Sequence, residues 1–149
     1  MITFCEAYAG TGAVTLSLFG LQPYPLRTGH KAKIAKIITE KMGITKDNVG
    51  KIVFCELDPH VRLLLKSYTD KELYSVTKDT LLSYVGMANS DPFGLWSQCR
   101  DIVKQERESK ILDEYSLANW FVMSIFSVLK GAYCASYCGP GKVTNSGNK

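Results

Sequence analysis

No apolar run in this 149-residue chain is long enough to span a bilayer as a helix; the longest candidate, Trp120–Leu129, is interrupted by Ser124 and Ser127. The opening Met-Ile-Thr-Phe-Cys-Glu carries no basic segment, so no signal peptide is expected. The five cysteines (Cys5, Cys55, Cys99, Cys134 and Cys138) are odd in number and show no C-x-x-C spacing, which argues against a disulfide framework. Cys5 and Cys55 fall inside apolar runs, where a free thiol acts as a small hydrophobe. These absences together predict a reducing, cytoplasmic setting. There are two histidines, His30 and His60, neither with a partner at metal-ligand spacing. Cys134-x-x-x-Cys138 stands alone as a pair, so no metal is expected.

The composition that remains is that of an ordinary folded chain, 46% hydrophobic and 21% charged, which excludes a disordered or collagen-like protein. The net charge of +4 permits an anionic partner without requiring one. Ile2–Tyr8 is rich in β-branched and aromatic residues and runs straight into Ala9-Gly10-Thr11-Gly12, the pattern of a buried strand ending in a glycine turn. Ala13–Phe19 reads as a short helix, stopped by Gly20, Pro23 and Pro25. A second helix is expected over His30–Met42, with Ile34, Ile37, Ile38 and Met42 on one face and Gly43 as its stop. Ile52–Leu57, almost wholly apolar, reads as a parallel strand buried on both faces. Asp58-Pro59 then leads into a helix over His60–Tyr68 with Val61, Leu64 and Leu65 inward. The alternation of strand and helix predicts an α/β parallel sheet with a helical insertion in the first crossover.

Further along, Leu73–Val76 is a candidate third strand, with Asp79 at its end or in an exposed turn. A helix is expected from Leu95 within Ser90–Arg107, and another over Ile111–Leu129. One domain over 1–138 and a disordered tail over 139–149 complete the expectation.

The chemistry concentrates at the glycine turn. Gly10 and Gly12 lack a Cβ, so the backbone there can approach a ligand, and a helix opening at that point directs its positive end at the same space. Glu56 and Asp58, at the end of the second strand, can accept hydrogen bonds from a ribose. A dinucleotide fingerprint would need glycine at position 15, where Thr stands. Gly141-Lys142 does not make a phosphate loop, because Val143 follows and Ser136 occupies the first glycine position. On spacing alone two readings stand open: a ligand site, or a plain tight turn with solvated charges at the strand end.

Phe4–Leu16, Phe-Cys-Glu-Ala-Tyr-Ala-Gly-Thr-Gly-Ala-Val-Thr-Leu, resembles the first motif of DNA adenine-N6 methyltransferases, which cradles S-adenosylmethionine. Cys55-Glu56-Leu57-Asp58-Pro59 is similar to their second motif, and Thr28–Ala35 to their Gly-Gly-Lys-x-x-Leu-Ala segment. That segment follows the glycine motif here, as in a phage-type arrangement, which accounts for the long crossover. The resemblance covers roughly the first 66 residues and implies a Rossmann-like methyltransferase fold. By position it implies Tyr8, Ala9, Gly10 and Gly12 in the cofactor turn, Lys31 near the cofactor carboxylate, and Glu56 with Asp58 at the ribose. S-adenosylmethionine is then the cofactor and DNA the expected substrate.

The family's catalytic Asp/Asn-Pro-Pro-aromatic motif holds the exocyclic amine of a flipped-out adenine. Ser90-Asp91-Pro92-Phe93 has a single proline and no apolar strand before it, so it reads as a turn, and the expectation is an N-terminal or truncated portion of an enzyme. The segment 27–46 holds six Lys or Arg and one Glu, a charge that suits DNA phosphates but suits a solvated helix face better. The rival functions are a non-catalytic S-adenosylmethionine or nucleotide binder and a small basic DNA-binding module.

Overall fold

The computed structural model describes residues 1–21, 31 and 34–130. Backbone contacts divide the chain into two compact units, Met1–Leu65 and Lys66–Lys149. His30, Cys134, Cys138 and the tail 139–149 lie outside the described residues.

The first unit is built on two parallel strands, β1 (Ile2–Glu6) and β2 (Val49–Phe54), in the register Thr3↔Lys51 to Glu6↔Phe54. The register slips between Ile2 and Thr3, at Gly50. A Cβ on Gly50 would come within 2.8 Å of the Met1 Cβ, so glycine lets the chain start cross the bulge there. Between the strands lie α1 (Ala13–Leu18) and α2 (Ala35–Met42). Phe4, Val14, Ala35 and Ile44 form the core, with Leu18, Ile38 and Val49 packed around them. Each fully buried side chain of this kind contributes roughly 1.5–3 kcal/mol, a modest total for so few residues. Helix α3 (Pro59–Ser67) buries Val61, Leu64 and Leu65, the expected inward set.

Several expectations for this unit need correction. Strand β2 runs Val49–Phe54 rather than Ile52–Leu57 and is only partly buried; among the described residues it pairs with β1 alone. Helix α2 turns Ala35, Ile38 and Thr39 inward, while Ile34, Ile37 and Met42 are exposed. Cys5 and Cys55 are not packed as hydrophobes; alternation along β1 buries Phe4 and Glu6 and leaves Thr3 and Cys5 exposed.

The described part of the second unit is helical: α4 (Lys71–Ser83), α5 (Val85–Ser90), α6 (Pro92–Ser109) and α7 (Ser116–Lys130). The third strand proposed at Leu73–Val76 is instead the first half of α4. Asp70 caps it by accepting from the Leu73 N–H at 3.0 Å, and the Thr77 and Thr80 hydroxyls donate back to the Leu73 and Val76 carbonyls. Four apolar residues cannot outweigh a capped thirteen-residue helix. Asp79 is thus an exposed helical residue, at neither a strand end nor a turn.

Helix α6 starts at Pro92 rather than Leu95, because Asp91 accepts from the Gly94 N–H at 3.0 Å and proline is tolerated in the first helical turn. Helix α7 starts at Ser116 rather than Ile111. The Asp113 N–H donates to the Ser116 hydroxyl at 2.8 Å and the Tyr115 N–H to the Asp113 carboxylate at 2.8 Å, which fixes the entry. Leu95, Cys99 and Val122 form one core cluster, and Trp96 and Trp120 are both fully buried.

Candidate functional site

The residues singled out in the sequence come together where the two parallel strands end. The ladder continues past the strands: the Cys55 N–H donates to the Glu6 carbonyl at 3.0 Å and the Ala9 N–H to the Cys55 carbonyl at 2.8 Å. That last bond sets the glycine turn directly beside the segment Glu56–Asp58. The Gly10 N–H then donates to Glu56 Oε2 at 2.6 Å, and the Asp58 N–H to Glu56 Oε1 at 3.1 Å. The partly buried Glu56 carboxylate therefore spans two chain segments forty-six residues apart. Such charge-assisted bonds are about twice as strong as neutral ones.

The turn itself is shaped by left-handed backbone. Gly10 (φ 55°) and Gly12 (φ 78°) adopt it freely, but so does Tyr8 (φ 52°), where an aromatic residue carries strain. Tyr8 is 81% exposed, and its carbonyl accepts a hydrogen bond from Lys31 Nζ. Leu57, between the two acidic residues, is likewise 87% exposed. Ala9 is buried, and its carbonyl accepts from the Gly12 N–H at 2.9 Å, which closes the turn. Nothing lies within 4 Å of a Cβ added to Gly10, so glycine is required there by conformation and not by crowding.

Asp58 has a second task at the head of α3. It accepts from the His60 N–H at 3.0 Å and lies 3.7 Å from His60 Nδ1. The buried His60 thus opens a helix, as its place after Asp58-Pro59 suggested.

Sequence reasoning missed Glu6. It is 3% exposed, and its carboxylate accepts from the Val14 N–H at 3.2 Å, the Thr15 N–H at 3.0 Å and the Thr15 hydroxyl. A buried carboxylate is tolerated only when satisfied in this way. The expected positive end of α1 is therefore already met by a carboxylate of the chain itself. The same contact explains Thr15: glycine there would lose the hydroxyl that completes the clamp. The available signal was an ionisable residue of the same strand parity as buried Phe4, just before a glycine turn.

The arrangement places one ammonium group, two carboxylates and an exposed aromatic ring around a strained turn. The Lys36–Glu40 pair, 3.8 Å apart with both side chains largely exposed, is a solvated helix contact of small energetic value. Among the described residues no group of three or more His, Cys, Asp or Glu could hold a metal ion. Among them, too, no helix is long and apolar enough to cross a membrane. No family model, curated protein or solved structure matches the chain.

Proposed function

We propose that this chain is the S-adenosylmethionine-binding portion of a cytoplasmic DNA methyltransferase that acts on adenine N6, with a Rossmann-like fold. The observation that carries the reading is the Glu56 carboxylate bonded to the Gly10 amide across two parallel strands. It joins two segments that the resemblance assigns to one cofactor.

The donor set suits that group. Each Glu56 oxygen accepts one protein N–H and retains lone-pair capacity for a ribose hydroxyl. Lys31 brings a positive charge to the turn, suited to a carboxylate, and the exposed Tyr8 ring offers a flat apolar surface. The cofactor, when bound, supplies the activated methyl group. The chain's own residues bind and orient. Glu6 fixes the start of α1, Glu56 holds the turn against the second strand, and the left-handed Tyr8 sets the direction in which the turn leaves β1.

Asp91, the residue nearest in pattern to the family's amine-holding Asp or Asn, caps α6 by accepting from the Gly94 N–H. That use favours a second reading, in which the chain binds S-adenosylmethionine without transferring its methyl group. Calorimetric titration with S-adenosylmethionine, NAD and ATP tests the shared part of both readings. Selective binding of S-adenosylmethionine, weakened at least tenfold in Glu56→Gln, is expected; equal binding of all three, or indifference to the substitution, would refute it. Methyl transfer to adenine-containing DNA separates the two readings.

A further inference from the structure

Beneath the site lies a pair of thiols that the proposed function does not use. Cys5 belongs to β1, and Cys55 follows the last residue of β2. The register Cys5↔Val53 gives Cys5 and Cys55 the same parity, so both stand on the sheet face opposite buried Phe4 and Glu6. Both thiols are free and exposed, and their sulfurs are 3.6 Å apart. The Cys55 backbone is pinned to the first chain segment on both sides, through its N–H to Glu6 and its carbonyl to Ala9. The two backbones cannot separate there without breaking that ladder. Closing sulfur contact to a disulfide bond of about 2.05 Å then requires side-chain rotation and a small approach of the strands. The hydrogen bond with Cys55 raises the Cys5 thiol above its ordinary pKa.

We propose that Cys5 and Cys55 form a reversible dithiol–disulfide modification site, oxidised by small-molecule disulfides such as glutathione disulfide. One cysteine thiolate attacks a sulfur of glutathione disulfide and expels one glutathione thiolate, leaving a mixed disulfide. The second cysteine thiolate attacks the protein sulfur of that mixed disulfide and expels the other glutathione. Two protein thiols are oxidised, one glutathione disulfide is reduced to two glutathiones, and the protons released by the cysteines end on the glutathione thiolates. The held geometry makes the second step intramolecular, so it outruns accumulation of mixed disulfide. Cys5 adjoins Glu6 and Cys55 adjoins Glu56, so the bond would tie together the two carboxylates that shape the turn.

The test is peptide mapping of the full folded chain after exposure to glutathione disulfide, alkylation of remaining thiols and trypsin digestion. The expected product joins peptide 1–27 to peptide 52–62, with both cysteines lost to alkylation together and both recovered after dithiothreitol. Cys99, buried in α6, stays protected until the protein is denatured. In Cys55→Ser, a stable glutathione adduct on Cys5 is expected in place of the cross-link. Independent glutathione adducts on Cys5 and Cys55 in the wild-type chain, or two thiols that remain alkylatable while folded, would overturn the proposal.

Discussion

In the first unit polar side chains are spent on holding backbone: Glu6 takes the α1 amides and Glu56 takes the glycine turn and the start of the next segment. In the second, besides capping helices, they join helices to one another. The Tyr84 hydroxyl donates to Asn119 at 2.7 Å and the Cys99 thiol meets the same oxygen at 3.6 Å, linking the end of α4 and the middle of α6 to α7. The Ser116 hydroxyl donates to buried Glu106 at 2.9 Å. The core differs in the same sense. Two fully buried tryptophans fill the second unit, whereas the first rests on Phe4 and a few small or aliphatic side chains. A loop held in an unusual shape by carboxylates suits ligand binding, since its donors and acceptors can be exchanged for a ligand's; helices pinned through their interiors suit persistence.

The largest effect should come from emptying the second core. Trp120→Ala is expected to cost about 3–5 kcal/mol of unfolding free energy, read by urea denaturation followed by circular dichroism. Next is Glu6→Ala, which strands two buried amides and a hydroxyl and should cost about 3 kcal/mol in the first unit. Both tryptophans lie in the second unit, so their fluorescence transition should stay in place while amide exchange in β1 and α1 accelerates. A fluorescence midpoint that moves with Glu6→Ala would break the contrast between the units.

Alkaline pH should act on the second unit. Burial raises the Cys99 thiol from 9.0 to about 12, and burial first, then Cys99 and Asp113, raise Tyr84. The unfolded chain releases the Cys99 proton near 9 while the folded chain keeps it, so stability falls as pH climbs from 9 towards 12. Cys99→Ala should flatten that fall in a pH series of urea midpoints. The smallest effect expected is a gain: Tyr8→Gly relieves a left-handed aromatic residue and should stabilise the first unit by about 1 kcal/mol while weakening cofactor binding. A loss of stability instead would show that the Tyr8 ring contributes more than its backbone costs.

Boundaries in the first unit were legible where a short-range signal punctuates them, and the bounds of β2, which has none, were not. The glycine turn closes β1, Gly43 ends α2, and Asp58-Pro59 opens α3. Legible too was the cluster of Tyr8, Gly10, Lys31, Glu56 and Asp58. What escaped was tertiary. Nothing local announces that Glu6 will reach forward to Val14 and Thr15, that Cys5 will meet Cys55, or that an apolar stripe at 34, 37 and 42 will stay in solvent. In the second unit the caps carried information that apolar patterning obscured. Asp70, Asp91 and Asp113 each mark a helix entry, ahead of or in place of the apolar residues at 73–76, 95 and 111.

The most direct test of the account is a heteronuclear amide spectrum of the labelled full chain, recorded while S-adenosylmethionine is added. Saturable shifts are expected at Gly10, Gly12, Lys31, Glu56 and Asp58, as S-adenosylmethionine engages the turn and the free lone pairs of the Glu56 carboxylate. Shifts confined to α4–α7, or a folded spectrum that does not respond, would contradict it.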